Sequence, residues 1–282
     1  MVSSRRPGGT PMRPPSRSSL AVLVLSLTVS ASGWSCGPSA PAAPRETGAA
    51  LRSARRDEAR RLPRDVRPID PATTGSLLVR VRFDGTPPPR RELDVSREPG
   101  CLHDEAPLSD ALVVDADGGL ANAVVEIVRG HEGWEAPDPG DEPTTLTQRG
   151  CVFRPHVVAL RAGTPLVITN EDELSHNVNL KATRNRSRNA VQAAGGSTTI
   201  TLDRIERSIP VQCDLHPWMG AWIHVIGHPW FATTDAAGVA RIDGLPEGDY
   251  EIDVRHETLG GRRVSATVRA NAQGEVEVAF EP

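Results

Sequence analysis

Cys213, His216 and Met219 recur at every third position in the string Pro210-Val-Gln-Cys-Asp-Leu-His-Pro-Trp-Met-Gly-Ala-Trp-Ile-His-Val225. A thiolate, an imidazole and a thioether at that spacing can face one point if the backbone curls instead of winding into a helix. Pro217 favours the curl, because its ring excludes a regular helix across the segment. A fourth donor must come from elsewhere, and His176 in Ser175-His-Asn-Val-Asn-Leu180 is the candidate, 37 residues before Cys213. One thiolate and two imidazoles make a trigonal set, and a weak axial thioether completes a donor set suited to copper. Zinc prefers further Cys, His or carboxylate donors, and a thioether serves it poorly. Four protein donors leave no open position for a substrate, so the chemistry expected is one-electron transfer, not catalysis at the metal. The competing reading is plain: a buried Cys, a loop Met and a strand-end His are each usual packing residues. Their joint order and spacing favour ligation.

The elements that must position these donors read as short strands. Leu77–Phe83 is strand-like and ends in the turn signal Asp84-Gly85; Leu120–Val128 and Val157–Leu160 are β-branched runs. Pro165–Thr169, Asn177–Leu180, Thr198–Leu202, Ile209–Gln212 and Trp222–Ile226 follow at spacings that suit a sandwich or Greek-key barrel. Beyond Thr234 strand and turn alternate, with Gly238 able to supply a positive φ in a hairpin and Pro246-Glu-Gly248 making a second tight turn. Tyr250, Ile252 and Val254 then share one face.

On these residues the chain resembles the cupredoxin family. Cys213-x-x-His216-Pro217-x-Met219 looks like the short ligand loop of amicyanin and plastocyanin-type members. Asn170-x-Asp172 followed by Ser175-His176-Asn177-Val178 resembles the segment that carries the family's first His ligand. The resemblance covers roughly 151–226 and implies a Greek-key β-sandwich holding one type 1 (blue) copper through His176, Cys213, His216 and Met219. It also implies that Asn177 steadies the copper loop by hydrogen bonding, and that His216 is the ring reaching the surface to pass the electron. Val211 stands where members often carry an aromatic residue. The stretch from Thr234 to Val254 resembles a carboxypeptidase regulatory-like, transthyretin-type β-sandwich. The whole arrangement resembles cupredoxin-plus-regulatory-domain proteins described as methylamine-utilisation-like. The expected fold class is therefore all-β, a cupredoxin-like Greek-key sandwich with a small regulatory-like β segment.

Four segments are expected. Residues 1–35 form an export signal, with Arg5, Arg6, Arg13 and Arg17 before the apolar Leu20–Val29 run, which is too short to span a bilayer comfortably. Residues 36–75, rich in Pro, Ala, Arg and Asp, form a disordered tether. Residues 76–228 form the copper domain. Residues 229–282 form the regulatory-like segment, short at about 54 residues for an independent sandwich and expected to recruit the Leu77–Phe83 strand.

Cys36 follows the apolar run in Ser-Gly-Trp-Ser-Cys and resembles the lipidated cysteine of a bacterial lipoprotein, giving a membrane anchor but no span. Cleavage after Ala31, leaving Cys36 a free thiol, is the rival. In an exported chain the two remaining cysteines, Cys101 and Cys151, are expected to pair as a disulfide, the alternative being two buried thiols. No Cys-x-x-Cys-His string occurs, which excludes covalent c-type haem. His224 and His228 read as a strand-end pair, not a second metal site; His156 reads as a structural hydrogen-bonding residue, and His103, His131 and His256 as surface or loop residues.

Composition agrees with an all-β chain: 25 Gly and 25 Pro point to many turns, and with four Phe, five Trp and one Tyr the core must be largely aliphatic. The formal net charge is −4, and removing the four Arg of residues 1–35 leaves −8. A mildly acidic mature chain argues against nucleic acid or anionic lipid as a partner and leaves a redox protein as the expected one. Two other functions fit the same sequence: a periplasmic copper carrier or storage protein, and a metal-free envelope binding module.

Overall fold

The computed structural model describes residues 66–101, 106–138 and 142–282. The export signal, Cys36, most of the tether and His103 lie outside them. The described residues are nearly all β, with two short 3-10 turns at Pro71–Thr73 and Pro99–Cys101, and none of their helices is long and apolar enough to cross a membrane.

Among the described residues, sixteen strands form four sheets. The first part of the chain gives β1 (Thr74–Phe83) and β2 (Val124–Arg129). Nine strands follow: β3 (Thr144–Gln148), β4 (Phe153–Arg154), β5 (Val157–Arg161), β6 (Pro165–Asn170), β7 (His176–Leu180), β8 (Arg188–Gln192), β9 (Ser197–Thr201), β10 (Glu206–Gln212) and β11 (Gly220–Ile226). The last five are β12 (Phe231–Thr233), β13 (Val239–Pro246), β14 (Gly248–His256), β15 (Gly260–Val268) and β16 (Gln273–Phe280).

β3 to β11 build one sandwich. Its sheets run in the orders β5-β11-β10-β7-β8 and β4-β3-β6-β9, with the β5–β11 and β3–β6 pairings parallel and the rest antiparallel. Alternation explains the packing: in β6, Leu166 and Ile168 point inward, and in β10 and β11 Ile209, Val211, Ala221, Ile223 and Val225 do the same. Leu93, Val95 and Cys101 enter this core from the segment after β1.

The remaining strands build a second sandwich with sheets β13-β1-β16 and β12-β2-β14-β15. This pairing gives the segment 229–282 the Leu77–Phe83 strand it was expected to recruit, and adds β2, which the expected boundaries placed in the copper domain. β1, which begins two residues before the span 76–228, and β2, which lies within it, both hydrogen-bond to the C-terminal strands, and β3–β11 is inserted between β2 and β12. The reason is physical. The segment 229–282 supplies five strands but no central partner for β13 and β16; β1 lies between them, antiparallel to one and parallel to the other. β2 likewise joins β12 to β14. Leu77, Val79 and Val81 of β1 then face a core shared with Ile127, Ile242, Ile252, Val254 and Phe280, while Arg80 points outward to Glu275. Gly238 adopts φ +73°, and a Cβ there would stand 2.4 Å from the Val81 carbonyl oxygen, so the hairpin that docks on β1 requires glycine.

The two sandwiches touch through Val124, Val157 and Ile226, with Trp222 and Phe231 alongside. Arg207 of β10 donates two hydrogen bonds to Glu126 of β2, at 2.7 and 2.6 Å. His156 and Trp222 both bond the Glu257 carboxylate at the β14–β15 turn.

Candidate metal centre

The loop 213–219 joins β10 to β11, and its backbone is closed by the strands on either side. The Cys213 N–H donates to the Met219 carbonyl (3.2 Å), and the Met219 N–H donates to the His216 carbonyl (2.9 Å). Cys213, His216 and Met219 thereby turn into one buried end of the sandwich. His176 is the first residue of β7, the strand beside β10, so the register between the two strands brings it to the loop.

There the donors converge. His176 Nδ1 lies 2.8 Å from His216 Nδ1, and Cys213 Sγ lies 3.6 Å from His216 Nδ1. Ligating atoms of all three residues fall within 4.8 Å of one another, and all three side chains are buried. Nitrogen donors about 2 Å from an ion, with sulfur at about 2.3 Å, stand roughly 3–4 Å apart in a trigonal set. The sulfur–nitrogen separation falls in that range and the nitrogen–nitrogen one just short of it, and the donor chemistry suits such an ion. Met219 is buried in the core cluster that contains Cys213.

Surrounding groups fix the candidate donor atoms. The Asp172 carboxylate lies 2.8 Å from His176 Nε2. Taking the proton of that bond on Nε2 leaves the Nδ1 lone pair turned inward. Asp172 itself accepts from the Gly150 N–H (2.6 Å) and the Cys151 N–H (2.9 Å). Burial raises its pKa, but those two donors and His176 outweigh it and hold the carboxyl below its ordinary range. The Asn177 N–H donates to Cys213 Sγ at 3.3 Å. The Asn177 side chain accepts from the Asp214 N–H and donates to Asp214 Oδ2 (3.2 Å), tying β7 to the loop.

The electrostatics suit a thiolate. Burial pushes the Cys213 thiol up, yet His176 and the N–H groups of Asn177, His216 and Leu215 bring it below an ordinary thiol. Burial pulls His176 down, and the Cys213 sulfur and Asp172 carboxylate more than offset it, so its pKa is raised. His216 is lowered, first by burial and then by the neighbouring His176.

Cys101 and Cys151 are joined in a disulfide, which leaves Cys213 the free cysteine among the described residues. Cys151 also lies within reach of Asp172 and His176, but its sulfur is used in the bridge. The bridge flanks the centre: Trp218 donates its indole N–H to the Cys151 carbonyl (3.0 Å) and lies against the His216 ring. Two features were not legible as contacts. Asp172 was visible within the first-ligand motif, four residues before His176, without a role; Glu98, whose Oε2 lies 3.7 Å from His216 Nε2, carried no sequence signal. His216 is 4% exposed, so the ring expected to reach the surface is covered.

Outside the centre, His156 bonds the Gly220 carbonyl (3.1 Å) and Glu257. His224 is buried, and burial lowers its pKa to about 4. His256, expected at the surface, is fully buried on the inward face of β14 and lines a cavity of about 140 Å³ with His224. The insertion of β3–β11 beside β14 creates that interior, which residue order along the chain does not reveal.

No protein-family profile and no curated protein matches the chain. Among solved structures it is similar to a Cu-containing nitrite reductase (NirK) from Thermus scotoductus SA-01, at 20% identity over 36% of this chain and 25% of that one, TM-score 0.29. The chain thus spans a quarter of that protein's length. A purple cupredoxin from Nitrosopumilus maritimus aligns at 16% identity over 29% of this chain and 99% of that one, TM-score 0.26. An oxidised proline-to-alanine mutant of amicyanin aligns at 14% identity over 33% of this chain and 97% of that one, TM-score 0.28.

Proposed function

We propose that this chain carries single electrons at a type 1 copper centre held by His176, Cys213, His216 and Met219. The observation that carries the reading is the convergence of two Nδ1 atoms and one Sγ at separations of 2.8 and 3.6 Å in a buried loop end. Copper supplies the one-electron change between Cu(II) and Cu(I) when bound.

The chain's own residues do the rest. Cys213 would provide the thiolate, His176 and His216 two imidazole nitrogens, and Met219 a weak thioether donor. Asp172 holds the His176 tautomer, and the Asn177 N–H holds the sulfur, so the donors keep nearly one arrangement in both oxidation states. Little rearrangement on electron gain or loss is what a carrier requires. A closed donor set in a buried pocket gives a substrate no place to bind, which supports a carrier over an enzyme. In this reading the chain is exported, tethered to a membrane by a lipid on Cys36, and exchanges electrons with a redox protein and not with nucleic acid.

Absorption and electron paramagnetic resonance on the copper-loaded chain test the reading. A strong thiolate-to-Cu(II) band near ~600 nm is expected. A protein that stays metal-free with Cys213 reduced, or binds copper without that band, removes it.

A further inference from the structure

The ring proposed to pass electrons is not bare. Leu93, Val95 and Cys101 are buried in the same core cluster as Cys213 and Met219, although their segment belongs to neither sheet of the β3–β11 sandwich. Their segment is fastened at several points. The Leu93 N–H donates to the Pro107 carbonyl (2.8 Å), and the Ser109 N–H to the Arg91 carbonyl (2.8 Å). Gly100 packs closely on the Leu174 side chain, two residues before His176. The Cys101–Cys151 bridge then anchors the end of the segment beside the centre.

This strap carries Glu98 to the outer edge of His216. Its carboxylate, 3.7 Å from Nε2, is the one acidic group within ion-pair distance of that ring among the described residues. The Glu98 side chain is itself 36% exposed, so it meets both the imidazole and solvent. Leu215, 52% exposed, is the next residue in the loop. Asp214 on its other side is exposed and accepts from the side-chain amides of Asn179 (2.8 Å) and Asn189 (2.7 Å), which hold its charge at the surface. The exposed Leu215 thus stands in the loop between Asp214 and His216, the ring that Glu98 meets.

We propose that the strap Leu93–Cys101 is part of the docking face, and that Glu98 makes it select a redox partner presenting a cationic group to His216. The proposal rests on the copper reading for the electron, and on the strap's own geometry for the cover. Opposite charges steer encounter and raise association rates, whereas like charge suppresses it, and both effects weaken with salt.

Two readouts test it. In the first, the reduced, copper-loaded full chain is oxidised by hexacyanoferrate(III), an anion, or by tris(phenanthroline)cobalt(III), a cation; each accepts one electron as Cu(I) becomes Cu(II). Glu98→Gln is expected to speed the anion severalfold and slow the cation, with the difference shrinking as salt rises. Equal changes for both oxidants, or none, overturn the proposed selection. The second readout needs no copper. Diethyl pyrocarbonate labelling of His216 in the metal-free chain, followed by peptide mass spectrometry, is expected to be slow in the wild type and severalfold faster in Glu98→Ala. His216 labelling that is unaffected by the substitution overturns the cover. A chain without a blue centre sinks the copper reading, and the labelling result then still decides the strap.

Discussion

Between the sheets of β3–β11, the buried side chains include His176, Asn177, His216, Gln148, Asn170 and Gln192 beside the aliphatic residues. The other sandwich has an aliphatic and aromatic core from Leu77 to Phe280, with Ser76, Thr234 and His256 also buried, and the hydroxyl of Tyr250 is satisfied within it by the Pro246 carbonyl. Both are two-sheet sandwiches with alternating strands, yet polar groups are concentrated where one core meets the β10–β11 loop. The difference teaches that the sandwich is a support, and that a site arises where polar side chains are buried together and largely hydrogen-bonded to one another. Asn170 illustrates this: its amide donates to the carbonyls of Leu174 (2.7 Å) and Ala193 (3.0 Å), shaping the turn before His176. Substitutions can break or sharpen the contrast.

The largest effect belongs to the centre. Cys213→Ser replaces the thiolate with a hydroxyl, and the band near ~600 nm is expected to vanish altogether from copper-loaded protein. The fold should persist, since the side chain changes by one atom. A variant that keeps the band places the thiolate elsewhere.

Next comes the core of the other sandwich. Leu77 is fully buried in the central strand β1. Leu77→Ala is expected to cost about 2–5 kcal/mol in chemical denaturation, from lost transfer energy and the cavity left behind. The absorption of the folded protein should not move, because Leu77 belongs to a core separate from that of the donors. A shifted spectrum at full folding would show that the sandwiches are coupled more tightly than their small apolar contact suggests.

The seam between the sandwiches gives a pH dependence. Burial lowers His224 to about 4, whereas the unfolded imidazole titrates near ~6.5. Between those values the unfolded chain binds the extra proton. The stability contributed by neutral His224 is therefore full above ~6.5 and lost as pH falls through about 4, amounting to about 3 kcal/mol. Thermal unfolding followed from pH 7 to 4 should show a shallower decline in His224→Leu than in the wild type. Equal slopes would mean that His224 is not the group responsible.

Legibility followed the same division. The loop donors could be read because their types and spacing are local, and Pro217 marks the segment as a loop. His176 was a weaker candidate, since its 37-residue separation from Cys213 has no local period, and the resemblance strengthened it. β1, β5, β6, β7, β10 and β11 were visible through apolar alternation. β3 and β8 were not: Thr-Thr-Leu-Thr-Gln and Arg-Asn-Ala-Val-Gln hold few apolar residues, and β8 is an exposed edge strand whose pairing with β7 supplies what its sequence lacks. Alternation in β1 showed that one face is buried, not which sheet buries it. That is why the inserted arrangement, and with it the strap bearing Glu98, emerged only in three dimensions.

The smallest effect concerns the single phenol in the chain. Tyr250 is buried, and its hydroxyl donates to the Pro246 carbonyl at 2.6 Å, holding the turn between β13 and β14 closed. Tyr250→Phe keeps the ring and its packing but leaves that carbonyl without its donor, so a loss of about 1 kcal/mol is expected in denaturant unfolding. Ring burial is retained, so a loss as large as that of Leu77→Ala would mean that the variant disturbs packing as well as the hydrogen bond. If the loss is near zero, water replaces the hydroxyl at the turn, and the apolar sandwich tolerates an unmatched polar atom better than its well-filled core implies.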